Sequence, residues 1–341
     1  MAKNSKLYET VSALMASGKG ILAADESDAT AGKRLQMVHL PNEPEHRRAF
    51  REVLLNAPDI EKYITGVILY DSTIKNMTAD GIPFSDILLS KGIIPGIKVD
   101  TGTRPLENFK DEVVSQGLDD LDKRFSEYVD LGARFAKWRA VIKIDDYIPT
   151  EECLEINAIQ MARYAALAQE AGIVPIVEPE VLLSGRHNIE RAEQVTTKTI
   201  QVLFSTLLKY KVDLEGLILK SSMVLAGDEY SQPSTPEEVA NATLRTFAVS
   251  VPHSVGGIVF LSGGQSPKRA VENLQAVSVH DNQPWPITFS YSRAIEEPML
   301  NVWQGKEENI KEAQKVLVHT LKMNSLALQG KYDSKKETVL K

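Results

Sequence analysis

Between Arg134 and Val181 the chain reads RFAKWRAVI (from Arg134), a helical segment over Glu151–Ala171, and then IVPIVEPEV (from Ile173). This stretch decides the fold. Both runs are short, apolar and largely uninterrupted rather than alternating, the pattern of parallel strands covered on both faces. The segment between them places Leu154, Ala158, Met161, Ala165 and Ala168 on one helical face, and Gly172 ends it. Working outward, six more runs of the same kind follow the same rhythm. They are GILAADE (from Gly20), GVILYD (from Gly66), IIPGIKV (from Ile93), LEGLILKSS (from Leu214), GGIVFLSGG (from Gly256) and PWPITFSYS (from Pro284). Helix signals lie between them. Thr235-Pro236-Glu237-Glu238 is a capping box with proline at the first helical position, Ser266-Pro267 opens another helix, and Lys306–Leu328 is amphipathic through Ile310, Ala313, Leu317 and Leu321. Eight strands alternating with helices predict an α/β protein of the (β/α)8 TIM-barrel class. The alternative, a doubly wound open sheet, calls for a glycine-rich dinucleotide turn after the first strand, and GILAADES has none.

A barrel absorbs all 341 residues as one domain. The expectation is a single catalytic unit over 1–341, with a short N-terminal helical segment and a mobile polar tail over Lys331–Lys341. The single cysteine, Cys153, excludes a disulfide framework and fits a reducing, cytoplasmic setting. The start reads as too polar for a signal peptide, and no apolar stretch is long enough to span a membrane. A net charge of −7 argues against a nucleic-acid binder. It leaves room for a small anionic substrate, because a local cluster of cations overrides the global sign.

Three of the runs carry a lysine where a strand would carry another valine: Lys98, Lys137 and Lys220. An ammonium in apolar company is costly unless it is paired or its pKa is depressed, and a neutral amine attacks carbonyls. One such lysine would snorkel into water; three on separate strands beside Asp25, Glu178 and Glu180 suggest a single site for Schiff-base chemistry. In barrel enzymes catalytic groups sit at the carboxyl ends of the strands, and Asp25, Lys98, Lys137, Glu178, Lys220, Ser262 and Arg293 fall there. Lys137 and Arg139 share one side of their strand, as do Glu178 and Glu180. The competing reading of those four is a structural salt-bridge layer at the barrel rim. Lys220 is the best nucleophile, because its run is the most apolar and a cation such as Lys137 would lower its pKa further. Asp25 follows two alanines that leave room for a substrate; its competing reading is a helix cap, a task Asp28 or Thr30 could equally perform. Ser262-Gly263-Gly264, a hydroxyl and a glycine turn before a helix, predicts a phosphate site with Arg293. A second phosphate site would use Lys33 and Arg34. The six histidines are scattered, so no metal site is expected.

The stretches GKGILAADES, GVILYDST, PGIKVDTGT, FAKWRAVIKI, GIVPIVEPE, LEGLILKSSMV, FLSGGQS and TFSYSRA resemble those of class I fructose-1,6-bisphosphate aldolase, in order, from about Gly18 to about Tyr332. The resemblance implies reversible cleavage of fructose 1,6-bisphosphate to dihydroxyacetone phosphate and glyceraldehyde 3-phosphate, in glycolysis and gluconeogenesis, without a cofactor, by a homotetramer. It matches Lys220 to the Schiff-base lysine, Asp25 to the acid/base aspartate, and Glu178 and Glu180 to the two site glutamates. Lys98, Lys137 and Arg139 match site cations; Ser262, Gly263 and Arg293 match the first-carbon phosphate site, and Arg34 the second. In the implied mechanism Glu178 is the general acid for water loss. Two positions depart from the family pattern: Thr30 replaces a serine, and Ser292 replaces a glycine before the arginine, which bears on backbone contacts to phosphate. The animal members end in a terminal tyrosine that moves protons. This chain stops at Lys341, and its last tyrosine, Tyr332, matches an internal one. The enamine proton must then come from inside the barrel, as from Glu180 through water, or from a tail that folds back through Tyr332; the barrel is the favoured source, because KYDSKKETVLK is too polar to dock firmly. Rival readings are another Schiff-base sugar-phosphate aldolase or transaldolase, and a non-catalytic barrel scaffold.

Overall fold

A computed structural model describes residues 2–280 and 283–335. Its strands are β1 (Gly20–Ala24), β2 (Ile64–Leu69), β3 (Ile94–Lys98), β4 (Thr103–Pro105), β5 (Val113–Ser115), β6 (Phe135–Ile142), β7 (Val174–Val181), β8 (Ile218–Ser221), β9 (Gly257–Phe260) and β10 (Ile287–Tyr291). Eight of them close a parallel barrel in the order β1-β10-β9-β8-β7-β6-β3-β2, with helices between the strands. The open sheet is thereby excluded. The remaining two, β4 and β5, form an antiparallel ribbon in the segment after β3.

The longest pairing joins β6 to β7, from Phe135 opposite Val174 to Ile142 opposite Val181. Outward side chains such as Trp138, Ala140, Val177 and Leu219 join the large core beneath the helices, where Trp138 stacks on Tyr164 with ring centroids 5.6 Å apart. Inward side chains change character along the strand. Ile21, Ala23, Ile68, Phe135, Val174, Ile176, Ile218 and Val259 fill the lower barrel. The next inward positions are Lys137, Glu178 and Lys220 on three of those strands and Asp25 just past the end of β1. The period of two that makes a barrel core thus also stacks an ionisable layer on an apolar floor.

The expected N-terminal helical segment is a helix over Ala2–Leu14. Leu7, Val11, Leu14 and Met15 pack into the same cluster as the barrel floor, so this helix closes the end opposite the site. Glycines let it approach: a Cβ at Gly257 would stand 2.7 Å from Met15 side-chain atoms, and one at Gly66 2.8 Å from Leu14. The predicted helices form at Glu151–Glu170, Pro236–Ser250 with its full capping box, Pro267–Ser278 and Ile310–Leu328. The first turn of the expected tail is not loose. Tyr332 is buried, and its backbone exchanges hydrogen bonds with the Gln275 side chain at 2.7 and 3.0 Å. Residues 336–341 lie outside the described residues.

Candidate active site

The carboxyl ends of the barrel strands surround a cavity of about 520 Å³. Asp25, Lys98, Lys137, Arg139, Glu178, Glu180 and Lys220 line it, as do Ser262, Gly263, Gly264, Ser292, Arg293, Thr30 and Arg34. Lys33 does not; it is exposed on the helix Asp28–Met37. Ser27 caps that helix by accepting the Thr30 N–H at 3.3 Å, so neither Asp25, Asp28 nor Thr30 serves as the cap.

Four ionisable groups meet on the cavity floor. Lys137 Nζ lies 2.5 Å from Asp25 Oδ2 and 2.9 Å from Glu178 Oε2, and Lys220 Nζ lies 3.2 Å from Glu178 Oε1. Glu178 therefore bridges the two lysines. Because β6 and β7 set Lys137 opposite Ile176, the Lys137–Glu178 contact is diagonal across the sheet. Lys137, Glu178 and Lys220 are only 3–4% exposed, so each charge is felt by the others with little screening.

The two lysines titrate in opposite directions. Burial lowers the pKa of Lys220, and the Lys137 ammonium lowers it further, against the pull of Glu178. Burial would do the same to Lys137, but the carboxylates of Asp25 and Glu178 override it and hold that lysine above its ordinary range. Burial alone would raise Glu178; Lys137, Lys220 and Arg139 instead keep it below the usual carboxylate range. The site at rest thus contains a carboxylate at Glu178, a firmly charged Lys137 and, at Lys220, an ammonium that gives up its proton more readily than an ordinary lysine.

Around this floor sit further cations. Lys98 Nζ binds Asp100 Oδ1 at 2.6 Å and stands 5.7 Å from the Tyr70 ring centroid. Arg139 donates to Glu180 through Nε. Gly263 and Gly264 have φ of +57° and +95°, where L side chains are disfavoured. A Cβ at Gly264 would stand 2.7 Å from Arg293 Nη2, so glycine there is what lets the guanidinium reach the cavity. Ser292 Oγ donates to Glu26 Oε1 at 2.7 Å rather than facing an anion.

Sequence reasoning missed several contributors. Asp100 is buried, holds Lys98, and accepts the Arg139 N–H at 3.1 Å. It lies two residues after Lys98 in the run already singled out, so the same strand parity signals it. Glu26, Arg51 and Glu296 form a buried cluster beside Ser292. No local signal marks it, because Arg51 and Glu296 are 245 residues apart.

The family described as "Glycolytic: Fructose-bisphosphate aldolase class-I" matches residues 6–341. A probable fructose-bisphosphate aldolase class 1 of Xanthomonas axonopodis pv. citri (strain 306) is 47% identical over 328 residues, covering 96% of this chain and 98% of the relative. A fructose-bisphosphate aldolase of Dictyostelium discoideum is 44% identical over 336 residues, 98% of this chain and 94% of the relative. A solved structure of the Plasmodium falciparum fructose-bisphosphate aldolase, in a ternary complex with TRAP and a small-molecule inhibitor, superposes with a TM-score of 0.96. It is 42% identical and covers 98% of this chain and 97% of that one. Near-full coverage at these identities leaves one assignment: the chain belongs to the class-I fructose-bisphosphate aldolase family.

Proposed function

We propose that this chain cleaves fructose 1,6-bisphosphate reversibly to dihydroxyacetone phosphate and glyceraldehyde 3-phosphate, with Lys220 as the Schiff-base lysine. The observation that carries the reading is the Lys220–Glu178–Lys137–Asp25 chain on an apolar barrel floor. Glu178, a carboxylate at rest, takes a proton from Lys220, and the neutral amine adds to the ketone carbon. The protonated Glu178 then returns that proton to the carbinolamine hydroxyl, and water leaves to give the iminium. Glu178 is thus base first and then, as the resemblance implies, the acid for water loss. Lys137 stays charged, orients the substrate hydroxyls and holds Asp25 as a carboxylate partner. Asp25 accepts the proton of the fourth-carbon hydroxyl; the bond to the third carbon breaks, and its electron pair flows into the iminium. Glyceraldehyde 3-phosphate departs. The proton that Asp25 accepted returns to the enamine carbon through water held by Glu180, and hydrolysis frees dihydroxyacetone phosphate and Lys220.

Arg293 with Ser262, Gly263 and Gly264, and Arg34 with Thr30, are assigned to the two phosphates, and Lys98 and Arg139 to the sugar between them. We place Ser292 beside the first phosphate through its backbone, since its hydroxyl is engaged elsewhere. Following the family resemblance, we assign a single catalytic unit, a homotetramer and a cytoplasmic location. No helix among the described residues is long and apolar enough to cross a membrane. The test is a coupled assay of bisphosphate cleavage with wild type, Lys220→Met and Glu178→Gln. Cleavage by the wild type that falls by about 10⁴ or more in the lysine variant, and by about 10²–10⁴ in the glutamine variant, supports the assignment. A Lys220→Met enzyme that retains cleavage overturns it.

A further inference from the structure

Beside the phosphate edge of the cavity lies a buried cluster that the cleavage steps do not use. Glu296 is fully buried on the helix Arg293–Trp303, four residues after Ser292. Its Oε1 lies 3.4 Å from Arg51 Nη1 and its Oε2 3.3 Å from Ser292 Oγ. Glu26 meets the same two groups: its Oε2 is 2.8 Å from Arg51 Nη2 and its Oε1 2.7 Å from Ser292 Oγ. Two carboxyls therefore share one guanidinium and one hydroxyl. Arg34 Nε, 3.8 Å from Glu26 Oε1, adds charge but stands too far away for a hydrogen bond.

A serine hydroxyl has a single hydrogen, and the shorter contact gives it to Glu26. With that hydrogen on Glu26, a proton on Glu296 completes the contact to Ser292 Oγ and also serves the Glu26 carboxyl, with which Glu296 shares a side-chain hydrogen bond. Burial, and then the Glu26 carboxylate, push the Glu296 acid well above its ordinary range. Glu26 goes the other way: burial would raise it, but Arg51 overrides burial and holds it low. The charged groups facing Glu296 are Glu26 from the end of β1, Arg51 from the helix Pro44–Leu55 and Arg34 from the helix Asp28–Met37. The helices Pro267–Ser278 and Ile310–Leu328, packed on its own helix, bury no charged residue.

We propose that Glu296, Glu26 and Arg51 are positioning residues for the phosphate edge: one proton held on Glu296 ties Ser292 to Glu26 and so fixes where Arg293 and Arg34 present their guanidinium groups. The proposal rests on the reading of Arg293 and Arg34 as phosphate ligands. Loss of that proton sets two buried carboxylates against each other across Ser292 and releases the turn that carries Arg293. Substrate affinity then falls, while the chemistry at Lys220 is left in place.

The experiment measures KM and kcat for fructose 1,6-bisphosphate from neutral to alkaline pH, for wild type, Glu296→Gln, Ser292→Gly and, as control, Arg293→Ala. The wild-type KM should rise about tenfold or more on the alkaline side, the effect of ionising a buried carboxyl beside another. Glu296→Gln, whose amide donates to Ser292 at every pH, should lose that rise. Its kcat profile, set by Lys220, should keep the wild-type shape. Ser292→Gly, which removes the hydroxyl between the two carboxyls but neither carboxyl nor Arg51, should also lose the rise and carries the test should the glutamine variant not fold. A Glu296→Gln or Ser292→Gly enzyme whose KM titrates as the wild type does overturns the proposal. If Arg293→Ala leaves KM unchanged, the phosphate reading fails and the proposal falls with it. If Arg293→Ala raises KM while Glu296→Gln titrates normally, only the positioning role is lost.

Discussion

Lys220 and Lys137 lie in the same layer of the barrel and share the carboxylate of Glu178, yet they answer to different partners. Lys137 has two carboxylates and Lys220 has one, already claimed by its neighbour. Substitutions should separate the two. Lys137→Met leaves Asp25 and Glu178 buried without their shared cation and should cost about 3–5 kcal/mol of stability, besides abolishing cleavage. Lys220→Met removes the less well compensated charge and should leave the melting temperature unchanged or higher, with activity lost. Thermal unfolding of the two variants side by side checks this, and a larger loss for Lys220→Met would contradict it. The pH dependence follows the same logic. The folded pKa of Lys220 lies below its unfolded value, so the folded state binds fewer protons in the window between them. The Lys220 contribution to stability therefore improves as pH rises through that window, and the wild type should gain on Lys220→Met across it.

At the scale of elements, the Ser262–Gly264 turn and the N-terminal helix each make a checkable demand. Gly264→Ala adds a Cβ 2.7 Å from Arg293 Nη2 at a φ of +95°, so it should mimic Arg293→Ala. Both should raise KM and lower kcat/KM by about 1.5–3 kcal/mol, the scale of a hydrogen bond to a charged group. Leu14→Ala, at the opposite end of the barrel, should cost about 2–5 kcal/mol of stability and leave kcat/KM unchanged. The eight barrel strands are legible in the sequence because a parallel strand must be apolar on both faces, and a lysine or glutamate interrupting such a run is conspicuous. The β4–β5 ribbon is not legible: its strands are three residues each and one is wholly exposed. Adjacency in the sequence groups Lys33 with Arg34, but of the two only Arg34 lines the cavity. Tyr332 sits in a polar string, and its burial depends on Gln275 of a distant helix.

For the whole molecule, barrel closure brings together residues as distant as Asp25 and Lys220, and the sequence order of strands alone implies that meeting. It does not imply the partners in the Glu26–Arg51–Glu296 cluster, which arise from helix packing outside the barrel. Among the described residues no group of histidine, cysteine, aspartate and glutamate is arranged to hold a metal ion. In the proposed mechanism the iminium on Lys220 is the electron sink, so cleavage should persist in EDTA; activity lost to EDTA and restored by zinc would contradict the mechanism. The most direct test of the central claim is chemical trapping. The protein is incubated with dihydroxyacetone phosphate, reduced with borohydride, digested and mapped by mass spectrometry. The account predicts a stable adduct on Lys220; an adduct on Lys98 or Lys137 instead, or none at all, would contradict it.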